Sequence, residues 1–385
     1  MPNEPTARSL TTLMAKASEV AGGRRPQDQS HLPALELLVR SCEETAALSA
    51  GGRRVLESIV VRHLVNRLLI EAEVAARPEA AAGPVGPMIV VTGLPRTGTT
   101  LLHNLLALDS GFRSLRLWEA LRPVPPRQGP SQAELVGQAA TWLERLYELV
   151  PDFRAIHAAT PEGPEECDAL LQNDFASQHF DDMFDAQAYS AWLATAPLRD
   201  AYRSYARQLR VLGAGKERTR PWVLKSPSHL GHLDALFEAC PEAMIVHCHR
   251  RPTEAVPSYA SLVLCLRRAY SERVSPLVVG QQALRRCETA MNRCLAVRRT
   301  APERFVDVQY RDFLARPLET IGGLYERLGR SLPPELPEAL TGWLSRHPQH
   351  RHGVHRYERE SFGLTEESLR QAFGPYLAQV PSAAS

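Results

Sequence analysis

"MIVVTGLPRTGTTLLHNLL", residues 88 to 106, decides the fold. Its first residues are continuously apolar and rich in β-branched side chains, the pattern of a strand buried on both faces of a parallel sheet. From Thr99 onward the spacing of apolar residues is helical. Between strand and helix lies a loop with glycines at Gly93 and Gly98. A P-loop has this outline but reads G-x-x-x-x-G-K-[ST], with a lysine that reaches the terminal phosphates of a nucleotide. Here Thr99 stands in the lysine's place, and the cation is Arg96, inside the loop. Amides at the start of the following helix point at an anion, and the helix dipole adds to the attraction. The candidate binding residues are therefore Gly93, Pro95, Arg96, Thr97, Gly98, Thr99 and Thr100, the last two with hydroxyl donors.

The alternation of strand and helix continues downstream. "WVLKS" (222–226), "MIVHCH" (244–249) and "RFVDVQY" (304–310) read as strands. "HLGHLDALFEAC" (229–240) and "TEAVPSYASLVLCL" (253–266) read as helices. Such alternation predicts an α/β fold, a P-loop-type parallel β-sheet flanked by helices. Upstream, "LPALELLVRSCEETAAL" and "VLESIVVRHLVNRLLIEAEVAA" are amphipathic, and "RPEAAAGPVGP" breaks the pattern as a linker. The expected organisation is an N-terminal helical segment, 1–86, and an α/β domain, 87–385. Residues 129 to 215 read as a helical insertion over the active site.

The 385 residues carry a formal charge of only +2, which argues against a broad nucleic-acid surface. The seven cysteines are odd in number and contain no C-x-x-C pair, so a reduced, cytoplasmic setting is expected without disulfides or a zinc site. No stretch approaches the roughly 18 uninterrupted apolar residues of a membrane span.

A kinase or ATPase would need Mg²⁺, held partly by an Asp at the end of a second apolar strand. "WVLK" ends in Lys225, "MIVHCHRR" ends in basic residues, and Asp307 lies inside its strand. A transferred sulfuryl group carries one negative charge, less than a terminal phosphoryl, and fixed Arg and Lys can neutralise it without a metal.

At this point the sequence resembles the sulfotransferases that use 3′-phosphoadenosine-5′-phosphosulfate (PAPS). "GLPRTGTTLLHNLLA" is similar to their 5′-phosphosulfate loop, in the branch that has Arg rather than Lys. "RRPTEAVPS" is similar to their second motif, with Arg250, Pro252 and Ser258. The resemblance implies that Arg250 and Ser258 grip the 3′-phosphate of PAPS and of its product 3′,5′-ADP. One cation at a strand end and one hydroxyl on the next helix could share a phosphate. The resemblance runs over roughly residues 87 to 377. It implies sulfuryl transfer to a hydroxyl, or less readily an amine, of a small-molecule acceptor.

An attacking hydroxyl must lose a proton, so a base is needed within hydrogen-bond reach. Glu119 in "LRLWEA" lies where the Arg-loop branch tends to carry a catalytic glutamate. His229 in "KSPSHL" lies four residues after Lys225, whereas the animal cytosolic enzymes have a His two residues after the matching Lys. Lys225 and Arg96 are expected to stabilise charge on the leaving oxygen. His355, Arg356 and Tyr357, in the basic C-terminal segment, are candidate nucleotide contacts. The acidic patch "PEGPEECD" (161–168) either borders the acceptor pocket or complements a helix N-terminus. Two other functions fit the loop: a P-loop small-molecule kinase, and a non-catalytic nucleotide-binding module.

Overall fold

The computed structural model describes residues 6–124, 129–215, 219–348 and 358–380. Four strands form one parallel sheet: β1 (Met88–Gly93), β2 (Trp222–Lys225), β3 (Ala243–His249) and β4 (Phe305–Gln309). Their spatial order is β2-β1-β3-β4. Val91 is level with Lys225, and Gly93 with Cys248. The loop after β1 thus emerges with the carboxyl ends of β2 and β3 on either side. In open α/β sheets this edge is where ligands bind.

The unbroken apolar run in β1 follows from burial on both faces. Met88 and Val90 belong to one core cluster, with Leu224 and Ile245. Ile89 and Val91 belong to the other, with Val223, Val246 and Val308. The second cluster is completed by Leu102 and Leu105 of the helix Thr99–Leu106.

Three long helices precede the sheet: α1 (Thr6–Val20), α2 (Leu32–Thr45) and α3 (Ala50–Ala76). Ser49 caps α3 by accepting from the Gly52 amide. Leu35, Leu38 and Val60 share the first core cluster with Val256 and Tyr259 downstream, so the N-terminal helices pack into the same interior as the α/β part. Residues 129 to 215 are mostly helical, as expected, including Gln132–Leu149, Asp168–Gln172, Gln178–Met183 and Arg199–Gly213, with a non-helical stretch at 157–167.

One expected helix divides. "HLGHLDALFEAC" is a 3₁₀ turn, Pro227–Gly231, followed by the helix Leu233–Ala239. Pro227 starts the turn, and Ser226 accepts from the Ser228 amide. All seven cysteines are free thiols. No helix among the described residues is long and apolar enough to cross a membrane.

Several histidines are buried as neutral rings. Burial, with Arg67 nearby, pushes the pKa of His31 down to about 4. Burial pushes His103 and His229 down to about 3. A base with a depressed folded pKa gives stability that is intact above its unfolded value of about 6.5 and is lost as pH falls toward the folded value. Each such ring steepens the loss by up to about 1.4 kcal/mol per pH unit. The melting temperature is therefore expected to drop sharply between pH 6.5 and 4, measured by scanning calorimetry across a buffer series. A flat profile through that window would contradict neutral burial of these rings.

Candidate active site

The loop after β1 is built around backbone conformations that few residues adopt. Gly93 has φ +155°, and a Cβ there would lie 2.4 Å from the Cys248 carbonyl oxygen. Gly98 has φ +86°, and a Cβ there would lie 2.8 Å from the Tyr310 ring. Arg96 has φ +71° although it is not glycine. Such a backbone costs on the order of 1–2 kcal/mol and persists only where the surroundings hold it. Thr97 supports the turn by donating its hydroxyl to the Leu94 carbonyl, 2.7 Å away.

Two sequence-distant motifs meet around Arg96. Its Nε lies 3.3 Å from Ser258 Oγ. Arg250 Nη1 donates to the Arg96 carbonyl at 2.9 Å. The Arg250 guanidinium lies 4.5 Å over the Tyr310 ring, and its Nε is held by Glu254 at 3.0 Å. Tyr310 thus supports both Gly98 and Arg250. Reading the sequence did not single it out, because it simply ends a strand-like run.

Lys225 is almost wholly buried at the end of β2. Its Nζ lies 3.3 Å from Thr100 Oγ1 and donates to the carboxylate of Glu166. The Cys167 amide donates to the Lys225 carbonyl at 3.0 Å, which fixes the start of the helix Asp168–Gln172 beside β2. The patch "PEGPEECD" therefore delivers a partly exposed carboxylate, 32% accessible, against the buried ammonium. Next to it, Glu165 pairs with His157 at 3.3 Å. Burial pulls the Glu165 carboxyl pKa upward, but His157 and Lys225 outweigh it and hold the group at about 2.

Neither expected base stands beside Lys225 with a free atom. Glu119 Oε1 accepts from Arg113 at 2.8 Å, and Oε2 accepts from the Arg116 amide at 3.0 Å. The carboxylate is buried as the N3 member of a capping box on the helix Leu117–Leu121. Its partner Arg113 stacks on Trp222, at the opposite end of β2 from Lys225. His229 is fully buried. Its Nδ1 meets Tyr202 OH at 2.8 Å and its Nε2 meets Cys167 Sγ at 3.1 Å, so both nitrogens are occupied. Glu119 and His229 are thus both engaged away from Lys225, and the carboxylate that faces Lys225 is Glu166. His355, Arg356 and Tyr357 lie outside the described residues.

Asp307, the remaining acid on the sheet, is held by Arg298 through two contacts of 2.6 Å and by His249 at 2.8 Å. The strand ends at the loop therefore present Lys225 and Arg250, a donor set suited to anions.

The comparisons with known proteins agree on one relationship. The model of the sulfotransferase family matches residues 87–334. Among solved structures, the chain is similar to sulfotransferase STF1 from Mycobacterium tuberculosis H37Rv. They share 27% identity with a TM-score of 0.79, covering 95% of this chain and 98% of that one. It is also similar to sulfotransferase STF9 from Mycobacterium avium, at 27% identity and a TM-score of 0.82, covering 96% of each chain. No curated protein matches.

Proposed function

The chain belongs to the sulfotransferase family, and on that premise we propose that it transfers a sulfuryl group from PAPS to a hydroxyl, or less readily an amine, of a small molecule. The observation that carries this reading is the joining of Arg96, Ser258 and Arg250 over Tyr310, on the loop side of the Lys225–Glu166 pair. The residues fit the donor. The left-handed turn at Arg96 and Gly98 opens a helix N-terminus suited to the 5′ anion. Arg250 and Ser258 suit a second anion, the 3′-phosphate, which ATP lacks.

When bound, PAPS supplies a sulfuryl group on a phosphate leaving group. The chain's own residues do the rest. Glu166 takes the acceptor's hydroxyl proton as its oxygen attacks sulfur. The bond from sulfur to the bridging phosphate oxygen breaks, and the electron pair stays on that oxygen. Lys225, placed between Glu166 and Thr100, and Arg96, in the loop, donate to that growing charge. Free thiols and the lack of a membrane-crossing helix among the described residues support placing the enzyme in the cytoplasm.

The test is transfer of ³⁵S-labelled sulfuryl from PAPS to a panel of phenols, alcohols and amines, run with and without EDTA. Transfer that survives chelation is expected. Phosphoryl transfer from Mg·ATP, silenced by EDTA and without sulfuryl transfer, would replace this reading with a small-molecule kinase.

A further inference from the structure

Two histidines and an aspartate meet between β3 and β4, outside the donor set that serves the loop. His247 and His249 stand two residues apart on β3 and so share one face of the sheet. Asp307 of β4 is level with His247 in the strand register. One ring nitrogen of each histidine and one carboxylate oxygen lie within 4.8 Å of one another. The two imidazole rings are 4.1 Å apart, centre to centre.

His247 is the unexplained member. It is fully buried, and neither of its ring nitrogens has a hydrogen-bond partner among the described residues. A neutral imidazole carries one donor and one acceptor, and leaving both unmet in a core is costly. A bound ion is one thing that removes such a cost.

The surroundings are arranged like a ligand shell. His249 Nδ1 is 2.8 Å from Tyr376 OH, on the helix Gly374–Gln379, which aims Nε2 at Asp307 Oδ1, also 2.8 Å away. A histidine fixed at its far nitrogen by an outer group, with its near nitrogen beside a carboxylate, is the usual setting of a metal ligand. The Tyr376 hydroxyl can donate or accept, so it serves either tautomer of His249. Asp307 is held in turn by Arg298, on the helix Pro276–Thr300, at 2.6 Å through each oxygen. A carboxylate has about four lone-pair sites. Arg298 takes two and the His249 N–H one. A cation that replaces this N–H, with the ring proton moved to Nδ1, therefore leaves the Arg298 contacts intact. The Asp307 side chain is 35% accessible while both imidazoles are buried, so an ion enters past the carboxylate.

We propose that His247, His249 and Asp307 bind a divalent transition-metal ion, with Zn²⁺ suited to two imidazoles and one carboxylate. Water completes the fourth position. Tetrahedral zinc at about 2.0–2.1 Å holds its ligand atoms roughly 3.4 Å apart, so the three groups draw in on binding. The ion ties β3, β4 and the helix of Tyr376 together one residue before Arg250. It is a structural clamp and takes no part in sulfuryl transfer. The proposal goes beyond the sulfotransferase reading and does not rest on it. Because Arg298 already neutralises Asp307, Kd is expected on the order of micromolar, weaker than structural zinc held by thiolates.

The experiment titrates Co²⁺, Zn²⁺ and Mg²⁺ into protein treated with EDTA and then freed of chelator. Cobalt binding is read by its visible absorption, and zinc binding by the melting temperature. The wild type is expected to bind one Co²⁺ and to melt higher with Zn²⁺ but not with Mg²⁺. Losing an outer partner typically costs about 10–100-fold in affinity. Tyr376→Phe is therefore expected to weaken cobalt binding about 10-fold, and His247→Phe, which removes a ligand, by more than about 100-fold. No binding by the wild type, or an equal rise with Mg²⁺, overturns the proposal. So does full binding by His247→Phe, which would assign the ion to another site such as the histidine-rich sequence 347–355. If His247→Phe does not fold, Tyr376→Phe decides, and an unchanged cobalt affinity there overturns the proposal.

Discussion

Glu166→Gln is expected to lower kcat by about 10³-fold, within the range typical of a lost general base, while 3′,5′-ADP still binds. Gln keeps the size and a hydrogen-bond acceptor toward Lys225 but cannot take a proton. The substitution also leaves a buried ammonium without its counter-ion, and breaking such a pair can cost about 3–5 kcal/mol of stability. The folded fraction must therefore be measured by circular dichroism beside the rate. Glu119→Gln is the informative comparison. That carboxylate is spent on Arg113 and on the Arg116 amide. Its loss should cost about 1–3 kcal/mol of stability and leave the turnover of the folded fraction near that of the wild type. The reverse pattern, a silent Glu166→Gln and a slow but stable Glu119→Gln, would return the catalytic role to Glu119.

Lys225→Ala and Arg96→Ala are each expected to lower turnover by about 10²-fold or more, the usual effect of removing a preorganised donor to developing charge. Lys225 is held by Thr100 and Glu166 before any substrate arrives, so little reorganisation remains for the reaction itself. Arg96 offers a second readout through its backbone. Arg96→Gly relieves a left-handed conformation and should raise the melting temperature while activity falls, a trade expected where strain is stored at a functional site. Near-normal steady-state turnover in Lys225→Ala or Arg96→Ala would remove these residues from the mechanism.

Much of this site was legible in the sequence, for identifiable reasons. β1 and its loop were readable because burial on both faces forces a continuous apolar run, and because the turn needs glycine at Gly93 and Gly98. Arg250 and Ser258 were singled out through the motif resemblance, and a strand end and the next helix place both against Arg96. Glu166 was not among the candidate bases because its pairing with Lys225 is non-local. "PEGPEECD" looks like helix N-terminal charge until β2 is laid beside it, 59 residues further on.

Glu119 was singled out for the opposite kind of reason, a local one. Its spacing matched a catalytic glutamate, but its local job is a capping box whose N-cap is Arg116 rather than Ser or Thr. His229 followed the same logic, since Tyr202 and Cys167 reach it from separate helical regions. On α3 the apolar periodicity marked the helix but not the buried polar row of His63, Asn66 and Arg67. Their partners, Asn173 and Asp174, lie more than 100 residues away.

The central claim is that the crevice recognises an adenosine bearing anions at both its 3′ and 5′ positions. The most direct measurement is calorimetric titration of 3′,5′-ADP and 5′-AMP, without divalent ions, into the wild type and Arg250→Ala. The wild type is expected to bind 3′,5′-ADP about 100-fold more tightly than 5′-AMP, as one charge-assisted phosphate grip would give. Arg250→Ala should bring the two affinities together. Equal affinities in the wild type, or tighter binding of Mg·ATP than of either, would contradict the account.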